Sequence, residues 1–133
     1  MPHLRVSEAA ALLGVSDDTV RRWIDSQGIP TVRDSAGRTL VDGAEVATYA
    51  ARTMPANDPT NIKRSARNHF TGIVTHITAD TVMAQVDLQC GPHRVVSLMS
   101  SEAVRDLGLE VGAVATAVVK ATNVIVETPQ DRA

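Results

Sequence analysis

Lys63-Arg64-Ser65-Ala66-Arg67-Asn68 is the one stretch of this chain in which three basic side chains crowd together without an acidic neighbour. Such a segment suits an anion. A tetrahedral dianion needs convergent N–H and O–H donors with a cation or two, and Ser, Arg, Lys and Thr supply these without acceptors that would bring in a metal ion. The plain alternative for Ser65 is a turn or a cap. A second candidate is the pair Arg21-Arg22. Successive side chains on a helix point about 100° apart, so both cannot face a core. One can reach a phosphate and the other a base edge or solvent, arginine being the commonest reader of guanine. The alternative is that both are solvated, with Asp18 and Asp25 pairing them at helical spacing.

Other chemistry finds little support. Cys90-Gly91-Pro92-His93 has a ligand-like spacing, but a structural zinc needs four ligands, and His3, His69 and His76 supply no second pair at comparable spacing. There is no Gly-x-Ser-x-Gly elbow and no Gly-rich phosphate loop, so neither an enzyme nor a catalytic cofactor is expected.

Short elements must position these residues. Ser7 is placed to cap a helix over residues 8–13 with Ala9, Ala10, Leu12 and Leu13 on its apolar face, and Gly14 to end it in the left-handed region. Ser16 caps a second helix, in which Val20, Trp23 and Ile24 recur at helical spacing, Asp17 and Asp18 favour the first turn, and Gly28 with Pro30 stops the run. Two helices joined by a Gly-containing turn read as a helix-turn-helix, with Trp23 in its core. Residues 31–41 read as two short strands around Ser35-Ala36-Gly37, a wing flanked by Arg33 and Arg38. A phosphate contact is the functional reading of those two arginines, and a plain exposed turn the other. Asp42 followed by Glu45 opens a third helix through Ala50.

Residues 53–62 carry two prolines, two asparagines and little to bury, which marks a linker. Beyond it the pattern changes to Val-, Ile- and Thr-rich runs broken by Gly, Asp and Pro. Strands are expected over 69–78, 82–88 (Val82, Ala84, Val86 and Leu88 on one face), 93–99, 113–119 and 123–127, with a short helix over 101–107. Five strands and one helix suggest a small OB-type barrel, and an α+β chain overall. The expected division is a winged helix-turn-helix over 1–52, a linker over 53–62, a barrel over 63–127 and a disordered tail over 128–133.

Composition bounds these readings. The 133 residues are 44% hydrophobic and 21% charged, as in a globular domain and unlike a disordered or fibrous chain. A formal charge of -2 excludes bulk attraction to a polyanion but leaves local patches open. Trp23, Tyr49 and Phe70 are the only aromatic residues, too few for a base-stacking surface, whereas a bare groove-reading helix remains open. A single cysteine, no secretory pattern at the start and no apolar run of membrane-spanning length lead us to expect a cytoplasmic chain without membrane contact. Two units of roughly 60 residues bury proportionally little surface, so self-association is expected.

Leu4-Arg5-Val6-Ser7-Glu8-Ala9-Ala10, Leu13-Gly14-Val15-Ser16, Thr19-Val20-Arg21-Arg22-Trp23-Ile24, Gly28-Ile29-Pro30 and Gly37-Arg38 resemble the excisionase and MerR-type winged helix-turn-helix. The resemblance implies that the helix beginning at Ser16 enters the major groove of double-stranded DNA and that the wing presses on neighbouring backbone. Ser16, Thr19, Arg21, Arg22, Arg33 and Arg38 are the DNA-binding candidates, acting in a dimer or array.

Ser65-Ala66-Arg67-Asn68, Phe70, Gly72-Ile73-Val74, Ala84-Gln85-Val86, Leu107-Gly108-Leu109 with Gly112, and Lys120-Ala121-Thr122-Asn123-Val124 resemble the Mop domain, the molbindin or TOBE type of molybdate-binding module. The resemblance implies an oxyanion, molybdate or tungstate, held between subunits by Ser65, Ala66, Arg67, Ser100, Lys120, Ala121 and Thr122, in a homo-oligomer expected to be a hexamer built as a trimer of dimers. The plain alternative for Lys120 is a strand-end lysine reaching into solvent. The family often writes Ile-Thr-x-x-Ser before the helix. Here Met99-Ser100-Ser101-Glu102-Ala103 keeps one hydroxyl at Ser100 and loses one at Ala103, which implies fewer donors, a shifted donor such as Ser101, or weaker binding.

The whole is similar in kind to ModE-type regulators, though those use another DNA-binding module and a doubled Mop repeat. A molybdate-responsive regulator is the expectation. An oxyanion storage or buffering protein, its helical part serving protein contacts, is the alternative.

Overall fold

Glycine and capping residues set the element boundaries in a computed structural model that describes residues 2–54 and 60–129. Two units divide the chain, Met1–Ala56 and Asn57–Ala133. Residues 55–59 of the expected linker and 130–133 of the expected tail lie outside the described residues.

The first unit runs β1 (His3–Arg5), α1 (Val6–Leu13), α2 (Asp17–Gln27), β2 (Thr31–Arg33), β3 (Thr39–Asp42) and α3 (Gly43–Thr53). Its strands form an antiparallel sheet in the order β1-β3-β2. Strand β1 is absent from the sequence reading, and its pairing moves the start of α1 back to Val6. Arg5 therefore takes the capping position, without a side-chain cap, and Ser7 falls inside the first turn. The starts of α2 and α3 follow the sequence reading, whereas α3 runs on to Thr53, three residues past the expected Ala50. Ser16 Oγ accepts from the Thr19 amide at 3.1 Å, and Asp42 Oδ1 accepts from the Ala44 and Glu45 amides at 2.9 and 3.1 Å. Gly14 and Gly28 end α1 and α2 with φ of 70° and 62°, a region costly for any residue with a Cβ. Val6, Ala10, Val20, Ile29, Val41 and Val46 make the core, with Trp23 packed against it and its ring edge-to-face with Tyr49 at 5.2 Å.

The second unit runs β4 (Asn68–Ala79), β5 (Met83–Cys90), β6 (His93–Ser100), α4 (Ser101–Asp106) and β7 (Val114–Val119), followed by a 3-10 turn over Ala121–Asn123. The sheet order is β6-β5-β4-β7, antiparallel throughout. One half of β4, Asn68 to Ile73, pairs with β7, and the other, Ile73 to Ala79, pairs with β5. A bulge between Val74 and His76 follows that hand-over, where the extra residue bends the strand and lets the sheet curl. Gly72 sits at the same bend because nothing else fits, since a Cβ there would lie 2.2 Å from the Gln89 carbonyl oxygen. Asp80 closes the β4–β5 turn, its Oδ1 accepting from the Val82 and Met83 amides, both at 2.8 Å. Val74, Val86, Leu88 and Cys90 are the buried core. Val82, expected on the inner face with Ala84, Val86 and Leu88, lies in the turn and is exposed.

The architecture is the expected α+β arrangement, a helix-turn-helix followed by a curled OB-like sheet, with one correction. Residues 123–127, expected as a fifth strand, form no ladder. Val124-Ile125-Val126 is a run of three apolar residues, the pattern of a strand covered on both faces, and it pairs with no strand among the described residues. Ile125 and Val126 are 85% and 84% exposed as a result. Between β6 and β7 the sheet stays open around an apolar cavity of about 460 Å³, with Val95, Met99, Leu109 and Val119 among its walls.

Candidate oxyanion and nucleic-acid sites

Antiparallel pairing decides which donors of the second unit can meet. The last pair of the β4–β7 ladder is Asn68 with Val119, and Asn68 Nδ2 donates to the Val119 carbonyl at 3.2 Å. The chain positions just outside that pair are Arg67 and Lys120, so Ser65-Ala66-Arg67 and Lys120-Ala121-Thr122 come together at one end of the sheet. Ser65, Arg67, Lys120, Ala121 and Thr122 are exposed and Ala66 is half-buried. The Asn123 amide donates to the Lys120 carbonyl at 2.9 Å, which fixes the tight turn holding Thr122. Arg64 is drawn out of the basic cluster by a hydrogen bond to Thr60 Oγ1.

Ser100 lies elsewhere. It pairs with Met83 at the far end of β5, beside the Ala79–Ala84 pair that ends β4, so it is separated from the other donors by the length of β4. Eleven steps of about 3.3 Å between its twelve residues give that strand a contour of roughly 36 Å. Ser100 Oγ accepts from the Ala103 amide at 3.0 Å as the cap of α4, which leaves its own proton to donate. Ser101 does not serve as a shifted donor. It is buried, and its hydroxyl donates to the Asp80 carbonyl at 2.8 Å.

In the first unit the six DNA-binding candidates occupy α2 and the wing. Ser16 Oγ and Thr19 Oγ1 are 2.9 Å apart, and Arg22 donates to Thr19 Oγ1 at 3.0 Å. Arg21 meets Asp18 at 3.5 Å with both side chains largely exposed, a pair of negligible strength. Only this half of the carboxylate pairing allowed by the sequence is formed, since Arg22 turns to a hydroxyl instead. Arg33 donates to the Gly37 carbonyl at 2.7 Å, and Arg38 Nε to Asp34 Oδ2 at 2.9 Å.

Asp34 is a residue the sequence reading passed over. Its Oδ1 accepts from the Ala36 and Arg38 amides, both at 2.9 Å, so it shapes the wing turn as well as orienting Arg38. The Arg38 amide above all, with the Arg38 guanidinium and the Ala36 amide, holds its carboxyl below the usual aspartate range against the opposing effect of burial. An Asp three residues ahead of Gly37 was the available signal. Among the described residues no group of three or more His, Cys, Asp or Glu is placed to hold a metal ion, and no helix is long and apolar enough to cross a membrane.

Comparison with known proteins follows the same two-part division. Residues 64–126 match the TOBE domain, and residues 4–54 match a helix-turn-helix domain. Molybdenum-pterin-binding protein 2 of Clostridium pasteurianum is 40% identical over 63 residues, 47% of this chain and 93% of that protein. The chain belongs to the TOBE family. A molybdenum-pterin-binding protein of Haemophilus influenzae is 44% identical over 66 residues, 49% of this chain and 96% of that one. Among solved structures, the molybdate-bound form of the cytoplasmic molybdate-binding protein ModG aligns with a TM-score of 0.50 and 42% identity, covering 54% of this chain and 52% of that chain. The three likenesses cover 47%, 49% and 54% of this chain, and the helix-turn-helix match over residues 4–54 is separate from the TOBE match over 64–126.

Proposed function

We propose that this chain is a molybdate-responsive transcriptional regulator. Its TOBE unit binds molybdate, or tungstate of the same shape and charge, at interfaces between copies, and its helix-turn-helix unit binds double-stranded DNA. The observation that carries the reading is the placement of donors at the two ends of β4. Ser65, Ala66, Arg67, Lys120, Ala121 and Thr122 gather at the Asn68 end, while Ser100 stands at the Ala79 end. A site using both needs two copies. Within such a site Arg67 and Lys120 supply charge, Ser65, Ser100 and Thr122 supply hydroxyl donors, and Ala66 and Ala121 supply backbone amides.

Molybdate as the anion is supported by the relatives' names and by the ligand in the ModG structure. Assembly is supported by the exposed Val124, Ile125 and Val126, an apolar strip that a second copy would cover. A hexamer built as a trimer of dimers, in the cytoplasm, is the expected form. Molybdate alters DNA binding to the extent that DNA-competent and DNA-incompetent arrangements differ in their affinity for it.

The test pairs two titrations on the full chain. Calorimetry with molybdate, tungstate and sulfate gives affinity and selectivity. A mobility-shift assay on the protein's own upstream region, with and without molybdate, gives the coupling. Saturable oxyanion binding with molybdate-dependent, sequence-specific retardation is the expected result. Absence of any retardation at moderate salt overturns the regulator, and high-capacity anion binding without a DNA effect favours storage.

A further inference from the structure

A cleft of about 460 Å³ in the first unit brings together three arginines from three different elements: Arg5 from the end of β1, Arg21 from α2 and Arg38 from the wing. Asp17 and Asp25 line it too, so its charged walls are three cations to two anions. The three arginines are not equivalent. Arg38 is tied through Nε to Asp34, and Arg21 leans on Asp18. Arg5 is exposed, and its side chain has no hydrogen bond or ion pair among the described residues. Strand pairing fixes its place, because Arg5 stands opposite Leu40 on β3, two residues along from Arg38. An unpaired guanidinium beside two others raises the local potential without gaining anything in the free protein, an arrangement that favours an incoming anion.

We infer that Arg5 is a phosphate-contacting residue of the DNA interface, clamping a backbone phosphodiester that runs through the cleft between α2 and the wing, alongside Arg21 and Arg38. The inference rests on the DNA-binding reading above and adds a residue that lies outside both the helix-turn-helix and the wing. A phosphate contact positions the protein without reading sequence, so Arg5 contributes equally to operator and to unrelated DNA. The cleft recognises the phosphate of a polymer, and a free oxyanion offers the same chemistry, so the experiment must separate them.

The test is the salt dependence of DNA affinity, measured by fluorescence anisotropy with the full chain on its upstream region and on mixed-sequence duplex. Each phosphate neutralised contributes about 0.9 to the slope of log K against log salt. Arg5→Ala is expected to lower that slope by about 0.9 on both duplexes and to weaken binding several-fold, whereas Arg5→Lys keeps the slope. Arg105→Ala, which removes the same charge from α4 of the TOBE unit, leaves it unchanged. An unaltered slope in Arg5→Ala, with the variant folded by circular dichroism and the wild type binding DNA, overturns the inference while leaving the regulator reading intact. Failure of the wild type to bind either duplex overturns both. Thermal stabilisation of the wild type by millimolar inorganic phosphate, lost in Arg5→Ala and accompanied by an unaltered DNA slope, assigns the cleft to a free anion instead and likewise overturns it.

Discussion

Arg38 holds Asp34 twice, through its backbone amide to Oδ1 and through its guanidinium Nε to Oδ2, each at 2.9 Å. One contact folds the wing turn and the other aims the arginine, so geometry and charge at the wing depend on a single carboxylate. Asp34→Ala is expected to reduce DNA affinity several-fold while leaving molybdate titrations unchanged. Anisotropy and calorimetry on the same preparation check both halves of that statement.

The proposed oxyanion site divides by charge. Removing a charge-assisted donor costs about 1.5–3 kcal/mol, so Lys120→Ala is expected to weaken molybdate binding by at least about tenfold, and Ser65→Ala by less. The oligomer should persist in both, as followed by light scattering. Wild-type affinity in both variants would remove these residues from the site.

Gly72 is the tightest point of the TOBE unit. An added Cβ would meet the Gln89 carbonyl oxygen at 2.2 Å and Cys90 Sγ at 2.7 Å, and backbone cannot step aside as a side chain can. Gly72→Ala is expected to destabilise that unit by about 3 kcal/mol or more, read as a lowered urea midpoint.

Acid should act on the same unit through Asp87. Hydrogen bonds from Arg94 and then Gln85 hold its carboxyl below the usual aspartate range, with the Arg94 Nε contact at 2.8 Å. A carboxyl depressed in the folded state stabilises above its ordinary value of 3.8, and that contribution is lost as pH falls through the lower folded value. Arg94→Ala returns Asp87 toward its ordinary value and is expected to move the acid-unfolding midpoint to higher pH, measured by far-ultraviolet circular dichroism. Asp80, depressed by the Met83 and Val82 amides, adds to the wild-type acid sensitivity in the same sense.

The unpaired segment after β7 bears on assembly. Ile125→Asp is expected to lower the molecular mass in solution by breaking the oligomer, while the circular dichroism of the sheet is retained. An unchanged mass would show that the contacts between copies lie elsewhere.

Much of this architecture was legible because local chemistry and long-range packing agree. Ser16, Asp42, Gly14 and Gly28 carry their boundaries in their own side chains or in the lack of one, and the alternation of Ala84, Val86 and Leu88 states which face is inside. What was hidden depends on partners distant in sequence. Arg5 became the residue before α1, displacing Ser7, because β1 pairs with β3 some 35 residues away. Residues 123–127 have the composition of a strand but no ladder partner, and composition does not register that. Of the candidate anion-binding segments, the basic cluster over 63–68 stood out by composition and the others were found by resemblance. Their separation between two ends of β4 came from strand register, which neither spacing nor resemblance contains.

The edge-to-face pair of Trp23 and Tyr49 has a practical consequence. These are the chain's only tryptophan and tyrosine, and both belong to the first unit, so indole and phenol emission reports on the helix-turn-helix half alone. The TOBE half, whose one Phe, Tyr or Trp is Phe70, is silent in that emission. A change in Trp23 emission on adding molybdate is therefore either a message relayed from the silent half or an anion lodged in the fluorescent one, and Lys120→Ala separates the two by abolishing only the first. The protein carries its own reporter of communication between its two units, with no label attached.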